Sequence, residues 1–293
     1  MAQVSDLIRS QSLRERMTTR AITPHSGLEI GGVDLTTLSD ADLHDVQQLL
    51  DDRLVLVFRD QKLDRDQHKA IARRFGTGEI HRHPLQRDRT DIDTEVSVVE
   101  TGPQSKITAG NEWHADTTAY LAPVSTSLLY LTQLPPSGGG DTVYINMYRA
   151  FDSLSAPMRE FVAGLRAVHD ATLPWTGMFG FTPKEGQTFP RTSHRVVLTH
   201  PRTGRQQLFV NRGFTSHVED LSKDESRALL DLLFAHAEAT LTLQCRVRWE
   251  PNTLVMWDNI ATQHHAVWDY FPERRYAERI SVLGPELEGA IAR

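Results

Sequence analysis

Helical and strand-like hydrophobic patterns alternate through the first half of the chain. A helix is predicted from Ser39 to Asp52, with Ser39 as its N-cap and an apolar stripe at helical spacing. The continuous apolar run LVLVF at 54–58 predicts a buried strand. A second helix is predicted from Asp64 to Phe75, where Gly76 ends it.

Strand patterns dominate the second half. Strands are predicted around Val96–Val99 and at 127–134, and apolar and polar residues alternate over 241–249, a pattern typical of a half-buried strand. Helices are predicted at 155–165 and 222–239, the second with a capping box. Many strands with a few helices indicate an α+β fold with a mainly β core, a sandwich or open barrel braced by helices.

Two segments lack such periodicity. Residues 1–24 are predicted to form a loosely held N-terminal arm, and the Pro- and Gly-rich stretch 171–193 is a candidate lid, with a plain mobile loop as the alternative. No linker-like composition divides the 293 residues, so one catalytic domain spanning 1–293 is expected.

Composition and charge limit the partners and the cellular compartment that can be predicted for the protein. The net charge of −6 argues against a nucleic-acid partner, and no apolar run is long enough to predict a membrane span. The first residues lack the apolar core of a secretory signal, and the single Cys245 cannot form an internal disulfide. A cytoplasmic protein is therefore predicted, in a reducing environment where ferrous iron persists.

The candidate chemistry begins at Trp113-His114-Ala115-Asp116. If this segment is extended, His114 and Asp116 point to the same side and could bind one cation. A third ligand is available from the adjacent His264 and His265, of which one faces inward on a strand. Two histidines and a carboxylate are typical of non-haem Fe(II) oxygenases, although zinc hydrolases use the same ligands.

Two arginines favour the oxygenase. Period two on the strand RYAERISVL places Arg275 and Arg279 on one face, and a buried guanidinium requires an anionic partner. A dicarboxylate co-substrate that chelates iron needs a cation for its far carboxylate. Arg275, eleven residues after His264, is well placed for that role.

The sequence resembles the TauD/TfdA family of Fe(II)/2-oxoglutarate dioxygenases, which includes the taurine and 2,4-dichlorophenoxyacetate dioxygenases. The resemblance is carried by four motifs and extends more weakly over residues 54–84. The motifs are WHADTT at 113–118, GGDT at 139–142, LFVNRGFT at 208–215 and WDNIATQHHAVWDYFPERRYAER at 257–279.

The resemblance implies a double-stranded β-helix, or jelly roll, with flanking helices. It also implies Fe(II), the co-substrate 2-oxoglutarate and O₂ as reactants, with release of succinate and CO₂. The site residues that it implies are the metal ligands His114, Asp116 and His264, and the 2-oxoglutarate contacts Thr142 and Arg275. The candidate substrate contacts are Arg279, His83 and Asn111.

Some positions depart from the taurine-type pattern. His265 stands where close relatives commonly have Tyr, and the loop around Asn111 has no clear match. The predicted substrate is therefore a small anion of open identity: a sulfonate, an alkyl sulfate, an aryloxyalkanoate or a carboxylate metabolite. A homo-oligomer is expected from the resemblance. Two other functions stay open, a zinc-dependent hydrolase with the same ligands and a non-catalytic small-anion binding protein.

Overall fold

The computed structural model describes residues 12–82, 90–178, 180–183, 186 and 188–293. Within these residues the helices are α1 (Leu13–Arg16), α2 (Asp40–Arg53), α3 (Arg65–Ala72), α4 (Met147–Asp152), α5 (Ala156–Ala163) and α6 (Lys223–Ala239). Short 3₁₀ turns lie at Leu35–Thr37 and Leu241–Leu243, and a π-helical segment lies at Leu173–Met178. No helix in the described ranges is long and apolar enough to cross a membrane.

The strands of the same residues form four sheets. They are β1 (Thr18–Ala21), β2 (Leu28–Gly31), β3 (Val55–Phe58), β4 (Ser97–Thr101), β5 (Val124–Gln133), β6 (Thr142–Asn146), β7 (Arg166–Asp170), β8 (Arg191–Arg195), β9 (Val197–Thr199), β10 (Gln206–Leu208), β11 (Thr215–Val218), β12 (Gln244–Val247), β13 (Thr253–Asp258), β14 (Thr262–Ala266), β15 (Arg275–Leu283) and β16 (Ile291–Ala292).

A large sheet and a small sheet build the core. The large sheet has the order β1-β2-β3-β13-β5-β15-β4, and its strand pairs are antiparallel except for β2 with β3. The small sheet has the order β12-β6-β14. The remaining sheets are β11-β7-β8-β16 and the hairpin β9-β10. The α+β class with a mainly β core is thereby confirmed.

Both faces of the large sheet are covered, which explains its apolar runs. Alternate residues such as Val55 and Val57 share a core cluster with residues of β6 and β12, including Tyr144 and Cys245. Their neighbours, such as Leu56, pack in a second cluster with α2 and α3. A strand buried on both sides reads as a continuous hydrophobic run rather than as an alternation.

Several predicted elements match the structure closely. α2 begins after the N-cap Ser39, whose hydroxyl accepts the N–H of Asp42, and α6 begins after Ser222 with the predicted capping box to Glu225. α3 also begins at its predicted N-cap but ends at Ala72, three residues earlier than expected.

One predicted strand is shorter than expected, and one segment that was considered as extended forms no strand. The alternating stretch 241–249 forms a strand only over β12, because its first three residues turn in a 3₁₀ helix directly after α6 and leave Leu241 exposed. The segment considered as extended, from His114 to Asp116, is not a strand. His114 makes an isolated bridge to His264, and a turn follows from Asp116.

Part of the predicted N-terminal arm instead belongs to the fold. Leu13 is buried, and β1 pairs with β2 at the edge of the large sheet. Residues 1–11 lie outside the described ranges. In the predicted lid, the described residues include the π-helical segment, and β8 already begins at Arg191.

Candidate active site

Three side chains from two distant parts of the chain meet between the two main sheets. His264 lies in the middle of β14, and His114 is paired with it by two backbone hydrogen bonds of 3.2 and 2.8 Å. Residues paired in this way project their side chains to the same side. The Nε2 atoms of His114 and His264 lie 3.6 and 4.0 Å from the two carboxylate oxygens of Asp116.

The geometry and chemistry of these three groups fit a metal ion. Their ligand atoms all lie within 4.8 Å of one another. The Nδ1 atom of His114 lies 2.7 Å from the backbone carbonyl of Glu112, to which it donates, so Nε2 presents its lone pair to the centre of the group. Two imidazole nitrogens and one carboxylate on one side of a metal form the facial set of non-haem Fe(II) enzymes.

Burial and charge prepare the group for a cation. Burial alone would raise the pKa of Asp116, but Arg279 and the two histidines outweigh it and hold that pKa well below its usual range. Burial, reinforced by the neighbouring His114, keeps the pKa of His264 far below its ordinary value. An ionised carboxylate and a neutral imidazole are the forms that bind metals.

His264, rather than His265, faces the centre of the group. The ring centroids of His114 and His264 are 4.1 Å apart, and His264 is buried. His265 is half-buried on the opposite side of β14, against the ring of Trp113. The structure therefore supports the register in which His264 is the third ligand.

A buried amide holds the backbone of Asp116. The N–H of Asp116 donates to Oδ1 of Asn259 at 2.9 Å, and Nδ2 of Asn259 donates to the carbonyls of Asp116 at 3.0 Å and Val124 at 2.8 Å. Asn259 is fully buried. Asn259 belongs to the motif at 257–279, but nothing in the sequence pattern predicts this role.

Gly213 allows the chain to approach His114 closely. A Cβ atom at this position would lie 2.8 Å from the Cβ atom of His114, closer than two carbon atoms can pack. The N–H of Gly213 also donates to the carbonyl of Trp113 at 3.2 Å. The glycine in the motif LFVNRGFT is therefore required by the backbone path beside a ligand, a role that sequence analysis did not identify.

Arg279 lies beside the three ligands. Its Nη1 atom donates to both carboxylate oxygens of Asp116 at 3.1 and 3.0 Å, and the side chain also forms part of a cavity wall. Its Nε–H is buried and has no hydrogen-bond partner among the described residues.

Arg275 and Thr142, the predicted 2-oxoglutarate contacts, are linked through Trp249. The guanidinium of Arg275 lies over the Trp249 ring, 5.5 Å from its centroid, and the indole N–H donates to the hydroxyl of Thr142 at 3.1 Å. Arg275 is buried, which lowers its pKa, yet it makes no ion pair within the described residues. Such a guanidinium suits a carboxylate ligand.

A cavity of about 690 Å³ opens beside the ligands. Aromatic side chains form much of its wall, among them Tyr120, Trp175, Phe181 and Phe214. Arg275 and Thr142 do not line it. Asn111 is exposed and lies outside this wall, although Gly110 and Glu112 on either side line it. His83 lies outside the described residues.

A known protein family matches most of the chain, including all three candidate metal ligands. Residues 18–281 match the family described as taurine catabolism dioxygenase TauD, TfdA family. The chain belongs to this family. It is an α-ketoglutarate (2-oxoglutarate)-dependent dioxygenase, and the predictions of enzyme class, Fe(II) and 2-oxoglutarate are confirmed. The double-stranded β-helix is the fold that membership implies.

Individual relatives share most of the chain. An α-ketoglutarate-dependent sulfonate dioxygenase from Saccharomyces cerevisiae is 32% identical over 91% of this chain and 66% of its own length. An α-ketoglutarate-dependent 2,4-dichlorophenoxyacetate dioxygenase from Burkholderia sp. (strain RASC) is 32% identical over 84% of this chain and 87% of its own. The crystal structure of a taurine dioxygenase from Burkholderia xenovorans, 33% identical, superimposes with a TM-score of 0.80 over 95% of each chain.

Family membership favours the dioxygenase over both functions that the residues alone left open. The zinc-dependent hydrolase shares the three ligands but gives no reason for a buried Arg275 without an ion-pair partner in the described ranges. The non-catalytic anion-binding protein would have no use for a complete facial set of ligands.

Proposed function

We propose that this dioxygenase hydroxylates an organic anion with an apolar body, at a carbon close to the anionic group. The observation that carries the proposal is the position of Arg279, which contacts a metal-ligating carboxylate and also lines a cavity with aromatic walls. The names of two relatives point in the same direction, because sulfonates and 2,4-dichlorophenoxyacetate are both organic anions.

In this proposal His114, Asp116 and His264 hold Fe(II). Arg275 and the hydroxyl of Thr142 hold the distal carboxylate of 2-oxoglutarate. When bound, the iron and the co-substrate supply with O₂ the oxidising chemistry that hydroxylates a C–H bond and yields succinate and CO₂. The protein contributes position, charge and exclusion of water.

Arg279 would fix the anionic group of the substrate. One edge of its guanidinium is occupied by Asp116, while its Nε–H has no partner among the described residues. An anion bound by the remaining N–H groups would therefore lie close to the metal-ligating carboxylate of Asp116. With the anion bound there, the carbon next to the anionic group, or next to its heteroatom, would be within reach of oxidation. A product hydroxylated at that carbon can fragment.

The cavity wall would bind the remainder of the substrate. A volume of about 690 Å³ falls in the usual range of sites for small organic ligands, and these sites bind mainly through apolar and aromatic contacts. Trp175 and Phe181, from the predicted lid, and Phe214, after β10, offer such contacts. An aryl or alkyl group attached to a sulfonate, sulfate or carboxylate would match both the charge of Arg279 and this wall.

The test compares matched pairs of compounds. Succinate release from 2-oxoglutarate is measured with an aryl or alkyl acid and with its neutral alcohol or amide, for the wild type and for Arg279→Gln and Arg279→Lys. The acids should stimulate turnover far more than their neutral partners, and the glutamine variant should lose that preference more completely than the lysine variant.

The control variant is Arg274→Gln, which removes an exposed arginine that pairs with Glu100 just before β15. It should behave as the wild type does. Equal stimulation by acids and neutral analogues, or equal effects of the Arg274 and Arg279 variants on KM, would reject an anionic substrate held by Arg279.

A further inference from the structure

Tyr144 places a buried hydroxyl in the region that the co-substrate is proposed to occupy. The residue lies on β6 and is only 1% exposed, and its hydroxyl has no hydrogen-bond partner among the described residues. Buried phenol groups usually find a partner, because an unpaired one loses its bonds to water without compensation. The orphaned hydroxyl therefore requires an explanation.

We propose that the hydroxyl of Tyr144 donates a hydrogen bond to the distal carboxylate of 2-oxoglutarate, beside Arg275 and Thr142. The inference rests on the proposed roles of these two residues as the anchor of that carboxylate. It adds a third donor to the anchor, one that neither the sequence motifs nor the relatives' names assign.

The register of β6 places the phenol between the metal ligands and the anchor. Tyr144 pairs directly with His264, and Thr142 pairs with Ala266 two residues further along β14. Because side chains at i and i+2 share a face, Tyr144, Thr142 and His264 all project to the same side of the small sheet. The rings of Tyr144 and His264 are inclined by only 25°, with their centroids 6.1 Å apart.

The opposite sheet brings two cations to the same place. On β15, Ala277 lies between Arg275 and Arg279, and it shares a core cluster with Tyr144. Burial raises the pKa of Tyr144, and both guanidinium groups act against that rise, Arg275 more strongly than Arg279. The phenol therefore lies close to both cations, one of which is proposed to bind the distal carboxylate.

The hydrogen-bonding groups are complementary to a carboxylate. The Nε–H of Arg275 is also buried and lacks a partner among the described residues. The hydroxyl of Thr142 accepts the N–H of Trp249 and keeps its own proton to donate. Phenol, guanidinium and hydroxyl are then all donors, and a carboxylate can accept about four hydrogen bonds.

A purely structural role would look different. Tyr148 is equally buried, but its hydroxyl lies 2.8 Å from the hydroxyl of Thr203 and so has a partner within the protein. Phenylalanine would fill the Tyr144 position just as well if only the ring were needed. The hydroxyl thus has a cost in the free protein that a bound acceptor would offset.

The experiment uses Tyr144→Phe, with Tyr148→Phe as the matched control. Under anaerobic conditions, 2-oxoglutarate is titrated into the Fe(II)-loaded proteins, and its Kd is measured from the visible charge-transfer band and by calorimetry. Tyr144→Phe should weaken binding by about tenfold or more, the usual effect of losing a hydrogen bond to a charged group, while Tyr148→Phe should not. The ligand-free Tyr144→Phe protein should unfold at the same temperature as the wild type or higher.

A second ligand locates the contact. 2-Oxovalerate has the same carbon chain but no distal carboxylate, so Tyr144→Phe and the wild type should bind it equally. An unchanged Kd for 2-oxoglutarate in Tyr144→Phe would overturn the proposal. Equal losses for both ligands would also overturn it, because the hydroxyl would then act at the metal end. A wild type that fails to bind 2-oxoglutarate at all would instead reject the proposed function on which the inference rests.

Discussion

At the scale of single residues, the position of Asp116 depends on the side-chain amide of Asn259, whose polar atoms bond to backbone groups. Asp116 begins a turn, so no strand ladder holds its backbone. The side chain of Asn259 supplies the missing partners by accepting its N–H and donating to its carbonyl. A ligand fixed in this way is pre-organised, and its carboxylate needs no ordering when the metal binds.

The substitution Asn259→Asp should therefore weaken metal binding. It replaces an N–H donor by a carboxylate oxygen that faces the carbonyls of Asp116 and Val124 within about 3 Å. We expect the affinity for Fe(II) to fall by about 10- to 100-fold, the usual effect of removing a group that orients a ligand. Anaerobic titration with Fe(II), or with Mn(II) followed by paramagnetic resonance, measures this affinity.

The matched control is Asn252→Asp, the same change at an exposed turn residue just before β13. It should leave metal affinity unchanged. If Asn259→Asp bound Fe(II) as tightly as the control, Asn259 would not be a positioning residue for Asp116.

The sequence predicted which residues carry the chemistry better than it predicted what holds them. The pair His114 and Asp116 and the distant His264 could be recognised because they lie in motifs that resemble the TauD/TfdA family, since their spacing alone also suits other metal sites. The role of Asn259 could not be predicted, since its partner lies 143 positions away and one buried amide produces no periodic pattern. The same holds for Tyr144, whose hydroxyl matters only through groups on another sheet.

At the scale of elements, β15 delivers two arginines to the site with one small residue between them. Arg275, Ala277 and Arg279 project from the same face, and Ala277 is fully buried. The adjacent Ile280 and Val282 pack in the helix-covered core on the other side. The small side chain of Ala277 leaves room for the aromatic residues of its cluster, Tyr144 and Trp249.

Ala277→Leu should disturb both arginines at once. Adding three carbon atoms at a fully buried strand position overpacks the core and costs about 1–3 kcal/mol of unfolding free energy. The displaced neighbours should also weaken 2-oxoglutarate binding, because Arg275 and the Trp249 ring move with them. Urea unfolding and anaerobic titration of 2-oxoglutarate measure the two effects.

Ala292→Leu makes the same change at an exposed residue of the edge strand β16 and provides the reference. Its stability and co-substrate affinity should match those of the wild type. A normal 2-oxoglutarate affinity in Ala277→Leu would show that the spacing between the two arginines tolerates a larger side chain.

Period two predicted β15 correctly, but within residues 241–249 only β12 forms a strand, for a physical reason. On β15 the alternation reflects two different surroundings, one on each face of the sheet. Before β12, the alternating residues happen to follow the end of α6, where the chain must first turn before it can pair with β6. Local pattern cannot reveal such a turn, because it is determined by the position of the preceding helix.

At the scale of the whole molecule, the active site exists only where the two main sheets face each other. The small sheet contributes His264, Thr142 and Tyr144, while the large sheet contributes Arg275 and Arg279. The last two lie close to His264 along the chain, whereas only the family resemblance assigned Thr142 of β6, over a hundred positions earlier, to the same site, and no local pattern predicts that β6 pairs with β14. Such pairing is a property of topology, which local periodicity does not encode.

A buried carboxylate outside the active site ties these layers together. Asp258 ends β13 and is fully buried, and its Oδ1 accepts the N–H groups of Ile260 and Ala261 at 3.0 Å each. Its Oδ2 lies 3.1 Å from Nε2 of His200 and 3.1 Å from Nη2 of Arg202. The Nε–H of Arg202 in turn donates to Asp51, near the end of α2. The β9–β10 turn, a helix and the large sheet therefore depend on one ionised group.

This arrangement predicts how stability depends on pH. Burial alone would raise the pKa of Asp258, but His200, Arg202 and the N–H of Ala261 outweigh it and hold that pKa below its usual range. Because the folded pKa lies below the unfolded value of about 3.9, the stabilisation is fully present above that pH. It is lost as pH falls through the lower pKa of the folded protein.

Asp258→Asn should accordingly lower the free energy of unfolding by about 3 kcal/mol at pH 7, because His200 and Arg202 lose their anionic partner. The difference from the wild type should shrink as pH falls below about 4, because the carboxylate is then protonated in the unfolded chain and, at still lower pH, in the folded protein as well. Urea unfolding between pH 7 and pH 3 measures both quantities, with the exposed Asp231→Asn as a control that should track the wild type throughout. A difference that stayed constant over this range would mean that Asp258 stabilises the protein through its shape and hydrogen bonds, and not through its charge.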